Sequence, residues 1–216
     1  MSEKFVLSCE STANLPHTYI DQKNIQILMH SRAADCAAYY RDYFRSLLSR
    51  GDLLHILWGD RSSQFSEAVL EAIEAVRSEF PHRRLIVTDS VGSVSGYKML
   101  VEIAVDLRDC GESPEAVEEW MNSLRPRVHS HLWKSELSEA SLKTAMHEMA
   151  ECLDGDYGYS GKCCVSHINA PTQAEAVRAR VESTFPNLKG KVQINEIGTL
   201  PFAYSASVGV ALCYMG

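Results

Sequence analysis

The sequence predicts a two-domain α/β protein, with a parallel-sheet domain over residues 1–127 and a smaller α/β domain over 128–216. Three observations predict it. Through the first half, short apolar runs alternate with segments whose apolar residues recur at helical spacing. One run, Leu53 to Trp58, is almost continuously apolar, as a strand buried on both faces must be. Arg125-Pro126-Arg127 then breaks the composition before a second set of strand and helix patterns begins.

Phe5 to Cys9 reads as a buried strand that stops at the polar Glu10-Ser11-Thr12. Asn24 to Met29 is a second strand. Tyr39 to Leu48 carries Tyr40, Phe44, Leu47 and Leu48 at helical spacing, and Gly51 follows as a stop signal. After the strand at Leu53 comes an amphipathic helix from Ser66 to Phe80, then a strand over Leu85 to Thr88. A long helix spans about Ser95 to Cys110 and closes at Gly111; Pro114 opens another in its first turn. In the second half, Glu139 to Leu153 reads as a helix and Lys162 to Ser166 as a strand. Thr172 to Phe185 is a helix, its start marked by Pro171, Thr172 and Glu175 as a capping box. Val192 to Ile194 and Ser207 to Tyr214 are the remaining strands.

Of 216 residues, 45% are hydrophobic, enough to bury a sizeable core. Lys and Arg number 21 against 28 Asp and Glu, a formal net charge of -7. Surplus acid disfavours a nucleic-acid partner, which needs clustered base to displace counterions, and an anionic membrane surface. No apolar run approaches the ~20 residues that cross a bilayer, so stable membrane insertion is not expected. Met1-Ser2-Glu3-Lys4 lacks signal-peptide architecture, and the expected location is cytoplasmic. The seven cysteines are odd in number and irregularly spaced, with no Cys-x-x-Cys, which argues against a disulfide framework or zinc ribbon.

Parallel sheets bind ligands beyond the carboxyl ends of their strands. Three hydroxyl-rich loops fall there: Glu10-Ser11-Thr12, Asp60 to Ser63, and Asp89 to Gly96. Hydroxyls and backbone N–H groups at helix starts can hold an anion, and the same serines are favoured helix caps. Other chemistries find little support. His147-Glu148 starts like a zinc-protease helix, but the second histidine of that motif is Glu151 here. Gly92 and Gly96 lack dinucleotide or P-loop spacing, and no Gly-x-Ser-x-Gly elbow exists. His129 and His131 would share one strand face as a possible ligand pair. Cys163 and Cys164 lie near His167, but adjacent strand residues face opposite ways, and His167 reads as a structural hydrogen bonder. No cofactor, metal site or catalytic residue is assigned.

At Glu10-Ser11-Thr12 the chain resembles the DegV family of bacterial fatty-acid-binding proteins, which open with a strand and an Asp-Ser-Thr loop. Further stretches agree in the same order. Ser62-Ser63-Gln64-Phe65-Ser66-Glu67-Ala68 resembles the family's Ser-Gly-Thr-Tyr-x-Ser-Ala. Thr88-Asp89-Ser90 with Ser93-x-Ser95-Gly96 resembles its next strand end and long-helix start. Leu124 to Val128 resembles the crossing between its domains, Val165-Ser166-His167 with Ala174-Glu175 its second domain, and Glu196-Ile197-Gly198 its final strands. The resemblance implies a DegV-like fold holding a long-chain fatty acid between two domains, and presentation of its carboxylate to a fatty-acid kinase partner. It places Ser11, Thr12, Ser31, Arg32, Ser62, Ser63, Ser93, Ser95, Tyr204 and Ser205 around the ligand.

The chain also departs from the pattern. Glu10 replaces the family's aspartate. Ser31-Arg32-Ala33-Ala34-Asp35 stands where the family has Thr-Ser-x-Pro-Ser, and Tyr204 to Val208 where it has His-Thr-Gly-Pro-Gly. Two segments are shortened. Two other readings stand beside the lipid carrier: a hydrolase or transferase using the serine loops as an anion site, and a degenerate member without ligand.

Overall fold

The computed structural model describes residues 5–29, 36–58, 64–90, 94–134, 137–197 and 209–216. The chain divides into two compact units, Met1–Arg125 and Pro126–Gly216.

In the first unit, strands β1 (Val6–Glu10), β2 (Ile25–Leu28), β3 (Leu53–Leu57) and β4 (Leu85–Asp89) form one sheet in the order β2-β1-β3-β4. Every pairing is parallel, as the alternating pattern predicts. All five residues of β3 are buried, the state its continuous apolar run encodes. Helices α2 (Cys36–Leu48) and α3 (Gln64–Glu79) bury Phe44, Leu47, Leu48, Val69, Ala72 and Val76 against Leu53, Leu57, Leu85 and Val87. Alternation sends Leu54 and Ile56 to the opposite side of β3, where they are fully buried. Helix α4 (Val94–Cys110) buries Tyr97, Leu100, Val101, Ala104 and Val105 completely. Each buried leucine or valine among them contributes about 1.5–3 kcal/mol of burial. Helix α5 (Pro114–Leu124) starts as Pro114 predicts, with the Ser113 hydroxyl accepting from the Ala116 N–H.

The sequence pattern did not announce α1 (His17–Lys23), because this short helix buries none of its residues and has no apolar stripe. It ends at Asn24, whose left-handed φ of 47° suits asparagine.

In the second unit, β5 (Val128–Trp133), β6 (Cys163–Ile168), β7 (Gln193–Glu196) and β8 (Gly209–Met215) are ordered β5-β8-β6-β7. Strand β8 runs antiparallel to β5 and β6, and β7 is parallel to β6. Helices α6 (Glu139–Cys152) and α7 (Pro171–Thr184) supply Leu142, Met146, Met149, Val177 and Val181 to a core shared with Val165, Leu212 and Tyr214.

The capping box expected at Thr172 and Glu175 is not formed. Pro171 occupies the first helical turn, which makes Ala170 the cap and puts Thr172 inside the helix, and no side chain caps this end. The capping box of this unit lies at Ser138 and Ser141, where each hydroxyl accepts from the other's backbone N–H.

Candidate functional site

The first sheet reverses its winding between β1 and β3: β2 lies outside β1 on one side, and β3 and β4 extend on the other. The carboxyl end of β1 therefore stands at the topological switch point, the usual ligand crevice of open α/β sheets. Glu10 is the residue there, and it is 2% exposed. The Tyr40 hydroxyl of α2 donates to Glu10 Oε1 at 2.5 Å. The backbone N–H of Trp58, just past β3, donates to Oε2 at 3.3 Å. The Glu10 N–H donates to Tyr97 Oη at 2.7 Å, and Tyr97 in turn donates to the Ile56 carbonyl at 2.7 Å. Thus Tyr40 of α2 and the backbone just past β3 hold the Glu10 carboxyl, while Tyr97 of α4 holds its backbone N–H. Burial pushes the carboxyl up to about 7, against the pull of Tyr40 and Trp58, which donate to the charged form.

Thr12 follows in a single 3-10 turn, Ser11–Ala13. It is buried, and its Oγ1 has no hydrogen-bond partner. A buried hydroxyl without a partner costs about 1–3 kcal/mol, a cost that a ligand acceptor would remove. At the end of β4, Asp89 is paired with Arg125, and the Ser90 N–H donates to the Leu57 carbonyl at 3.0 Å.

Below Glu10 on the same face, Ser8 bridges His55 Nδ1 at 2.7 Å and Tyr43 Oη at 2.8 Å. His55 is ringed by Tyr40, Tyr43 and Phe44, with centroids at 6.3, 6.0 and 5.2 Å. Burial pushes its imidazole down to about 3, so it is neutral near pH 7. This serine–histidine pair is part of the core and a poor general base.

A cavity of about 260 Å³ opens beside α3 and β4, walled by Leu57, Val69, Leu70, Ile73, Leu85 and Val87, with the charged Arg77 and Glu118 also on its wall. Leu57, one of its walls, directly precedes Trp58 in the chain, whose backbone N–H binds Glu10.

Of the ligand residues expected from the resemblance, Ser11 and Thr12 lie beside Glu10 at the switch point. Ser95 falls in the first turn of α4, its side chain outside the described residues. Ser31, Arg32, Ser62, Ser63, Ser93, Tyr204 and Ser205 also lie outside them. Sequence reasoning missed Tyr40, Tyr97 and Trp58, whose polar atoms surround Glu10. Tyr40 carries the same helical spacing as a purely apolar core residue, so only the fold reveals its hydroxyl's partner. Glu10 itself was visible as an acid ending a buried strand.

Elsewhere, His129 and His131 do share a face of β5. Both stack on Tyr214, and His131 also meets Glu148 at 3.1 Å. Among the described residues no group of three or more His, Cys, Asp or Glu is placed to hold a metal ion. His167 is buried, and its Nδ1 accepts from the Ala170 N–H at 3.4 Å, a structural role. No helix among the described residues is long and apolar enough to cross a membrane.

No protein-family model matches the chain. A stretch of 87 residues is 31% identical to a DegV domain-containing protein, YteA, of Lactococcus lactis; it makes up 40% of this chain and only 30% of that relative. A stearic-acid-binding protein from Eubacterium ventriosum superposes with a TM-score of 0.74 at 12% identity, over 97% of this chain and 98% of its own. A fatty-acid-binding DegV family protein from Streptococcus agalactiae superposes with a TM-score of 0.72 at 12% identity, over 100% of both chains. The fold is that of these DegV family structures, and the resemblance of the chain to DegV proteins is borne out at the level of that fold and of the matched stretch.

Proposed function

We propose that the protein binds a long-chain fatty acid, with the carboxylate at the carboxyl ends of β1, β3 and β4. The observation that carries this reading is the switch point itself. Glu10, Tyr40 and the unpartnered Thr12 hydroxyl form a buried polar cluster there, and Leu57, at the end of the neighbouring β3, lines a cavity with mostly apolar walls. A fatty acid requires that pairing of a few placed polar groups with apolar walls. Proteins of the same fold that bind fatty acids support the choice of ligand. The resemblance adds Ser31, Arg32, Ser62, Ser63, Ser93, Ser95, Tyr204 and Ser205 as proposed head-group donors. The Ser8–His55 pair gives the hydrolase reading no usable base.

Native mass spectrometry of the purified protein, with organic extraction, tests the reading. A co-purified fatty acid, or binding of a fluorescent acyl probe, is expected. Lipid-free protein that binds no probe overturns it. A finer proposal follows from the resemblance: the bound acid is presented to a kinase that forms an acyl phosphate. Hydroxylamine trapping of an acyl hydroxamate, on addition of ATP and a bacterial fatty-acid kinase, tests that step.

A further inference from the structure

We propose that Glu10 is a specificity-determining residue of this site, which admits an anionic head group only when its own carboxyl carries a proton. The inference rests on the fatty-acid reading and deepens it.

The geometry leaves little choice. Glu10 is 2% exposed, and its contacts are donors without full charge: the Tyr40 hydroxyl on Oε1 and the Trp58 N–H on Oε2. Among the described residues, the titratable and charged groups around it offer no compensation. From α2 comes Tyr40, and from α4 comes Tyr97, whose hydroxyl binds the Glu10 backbone. Cys9 precedes it on β1 as a buried thiol, and His55 on β3 is neutral and bound to Ser8. Lys98 of α4 lies 3.9 Å from Glu102, and Arg125 is paired with Asp89.

A second carboxylate arriving beside Thr12 and Trp58 would thus meet an anion with no cation among the described residues to separate them, and an arginine paired bidentately with the ligand, the role proposed for Arg32, would still leave the Glu10 charge uncompensated. Two carboxylates sharing a buried site cannot both stay ionised, and one proton between them is the stable state. With Tyr40 donating to Oε1, the proton belongs on Oε2, where it can be donated to the ligand oxygen. Binding a carboxylate therefore takes up one proton wherever free Glu10 is ionised. Burial sets that boundary near neutrality, at about 7. A neutral head group needs no such uptake.

The test measures binding of decanoate and of decanol from about pH 6 to about pH 9, where free decanoic acid stays ionised. Wild-type protein, Glu10→Gln and Tyr40→Phe are compared. Wild-type affinity for decanoate should fall about tenfold per pH unit above neutrality. Glu10→Gln mimics the protonated acid, so its profile should be flat within about threefold, and it should bind decanoate more tightly than wild type at the alkaline end. Tyr40→Phe loses a donor to the ionised form, so its fall should begin at higher pH. Decanol binding should be level throughout. Calorimetry in two buffers of different ionisation enthalpy should count one proton taken up per decanoate above neutrality, a readout that needs no variant. Decanoate binding by wild type that is independent of pH, without proton uptake, overturns this inference and leaves the fatty-acid reading standing. The same steep profile in Glu10→Gln also overturns it. Failure of all three proteins to bind either ligand overturns both.

Discussion

Ser8 Oγ and His55 Nδ1 lie 2.7 Å apart on paired positions of the neighbouring strands β1 and β3. Tyr43 donating to Ser8 and Ser8 donating to His55 Nδ1 puts both hydroxyl protons to use within the chain. The other imidazole nitrogen, Nε2, has no hydrogen-bond partner and faces the ring of Tyr40, Tyr43 and Phe44. A charged imidazolium would leave an unpaired cationic N–H in that apolar ring.

His55 should therefore make the fold acid-sensitive. Its folded value of about 3 lies below the usual 6.5, so the unfolded chain binds the extra proton in that window. Stability is lost as pH falls from about 6.5, by ~1.4 kcal/mol per unit. Urea titrations of wild type and His55→Gln at several acidic pH values should show a shallower decline in the variant.

Glu10 acts with the opposite sign. Its folded value of about 7 lies above the usual 4.5, so the folded chain binds the extra proton between those values. The stabilisation is complete below about 4.5 and is lost as pH rises through about 7. Glu10→Gln, which cannot ionise, should gain roughly 1–3 kcal/mol over wild type at mildly alkaline pH and little in acid. Chemical denaturation at both pH values measures it.

The caps give a contrast within the second unit. Ser138→Ala should lower stability by about 1 kcal/mol, because the Ser141 N–H loses its acceptor. Thr172→Ala should change it by less than about 0.5 kcal/mol, since that side chain caps nothing. Thermal melts of the two variants decide the matter.

On the proposed head-group side, Ser62→Ala should weaken fatty-acid binding by roughly 1–3 kcal/mol, the worth of a hydrogen bond to a charged group. If stability drops and affinity holds, Ser62 only caps a helix. Arg32→Ala and Arg32→Lys should both reduce preference for an acid over its alcohol, alanine further, because lysine keeps the charge but loses the bidentate fork. Competition binding with the paired ligands reads this directly.

The first sheet was legible because burial on both faces writes itself into the chain as an unbroken apolar run, as at Leu53 to Leu57. Strand β5 was harder: its residues are only half-buried or exposed, so Val128 to Trp133 shows no such run. The start of α7 was misread because Pro171 and Thr172 fit two different caps, and the proline's fixed φ decided for the earlier one. At the site, the strand-ending Glu10 and the Ser11–Thr12 turn were readable from order along the chain. Tyr40 and Tyr97 were not, since they come from helices 30 and 87 residues away and look like core aromatics until the sheet brings them together.

Strand β8 follows β5, β6 and β7 in sequence yet lies between β5 and β6, its register running from Gly209 opposite Ile168 to Met215 opposite Val128. As the chain leaves the ribosome, β5 and β6 therefore have no partner between them until residues 209–215 are out. Until then each keeps an unsatisfied edge of N–H and C=O groups, the kind of template that recruits foreign strands. The β6–β7 pair can form early, but joining β5 to it waits for β8, so the stage before β8 arrives is the one that exposes most strand edge to unwanted partners.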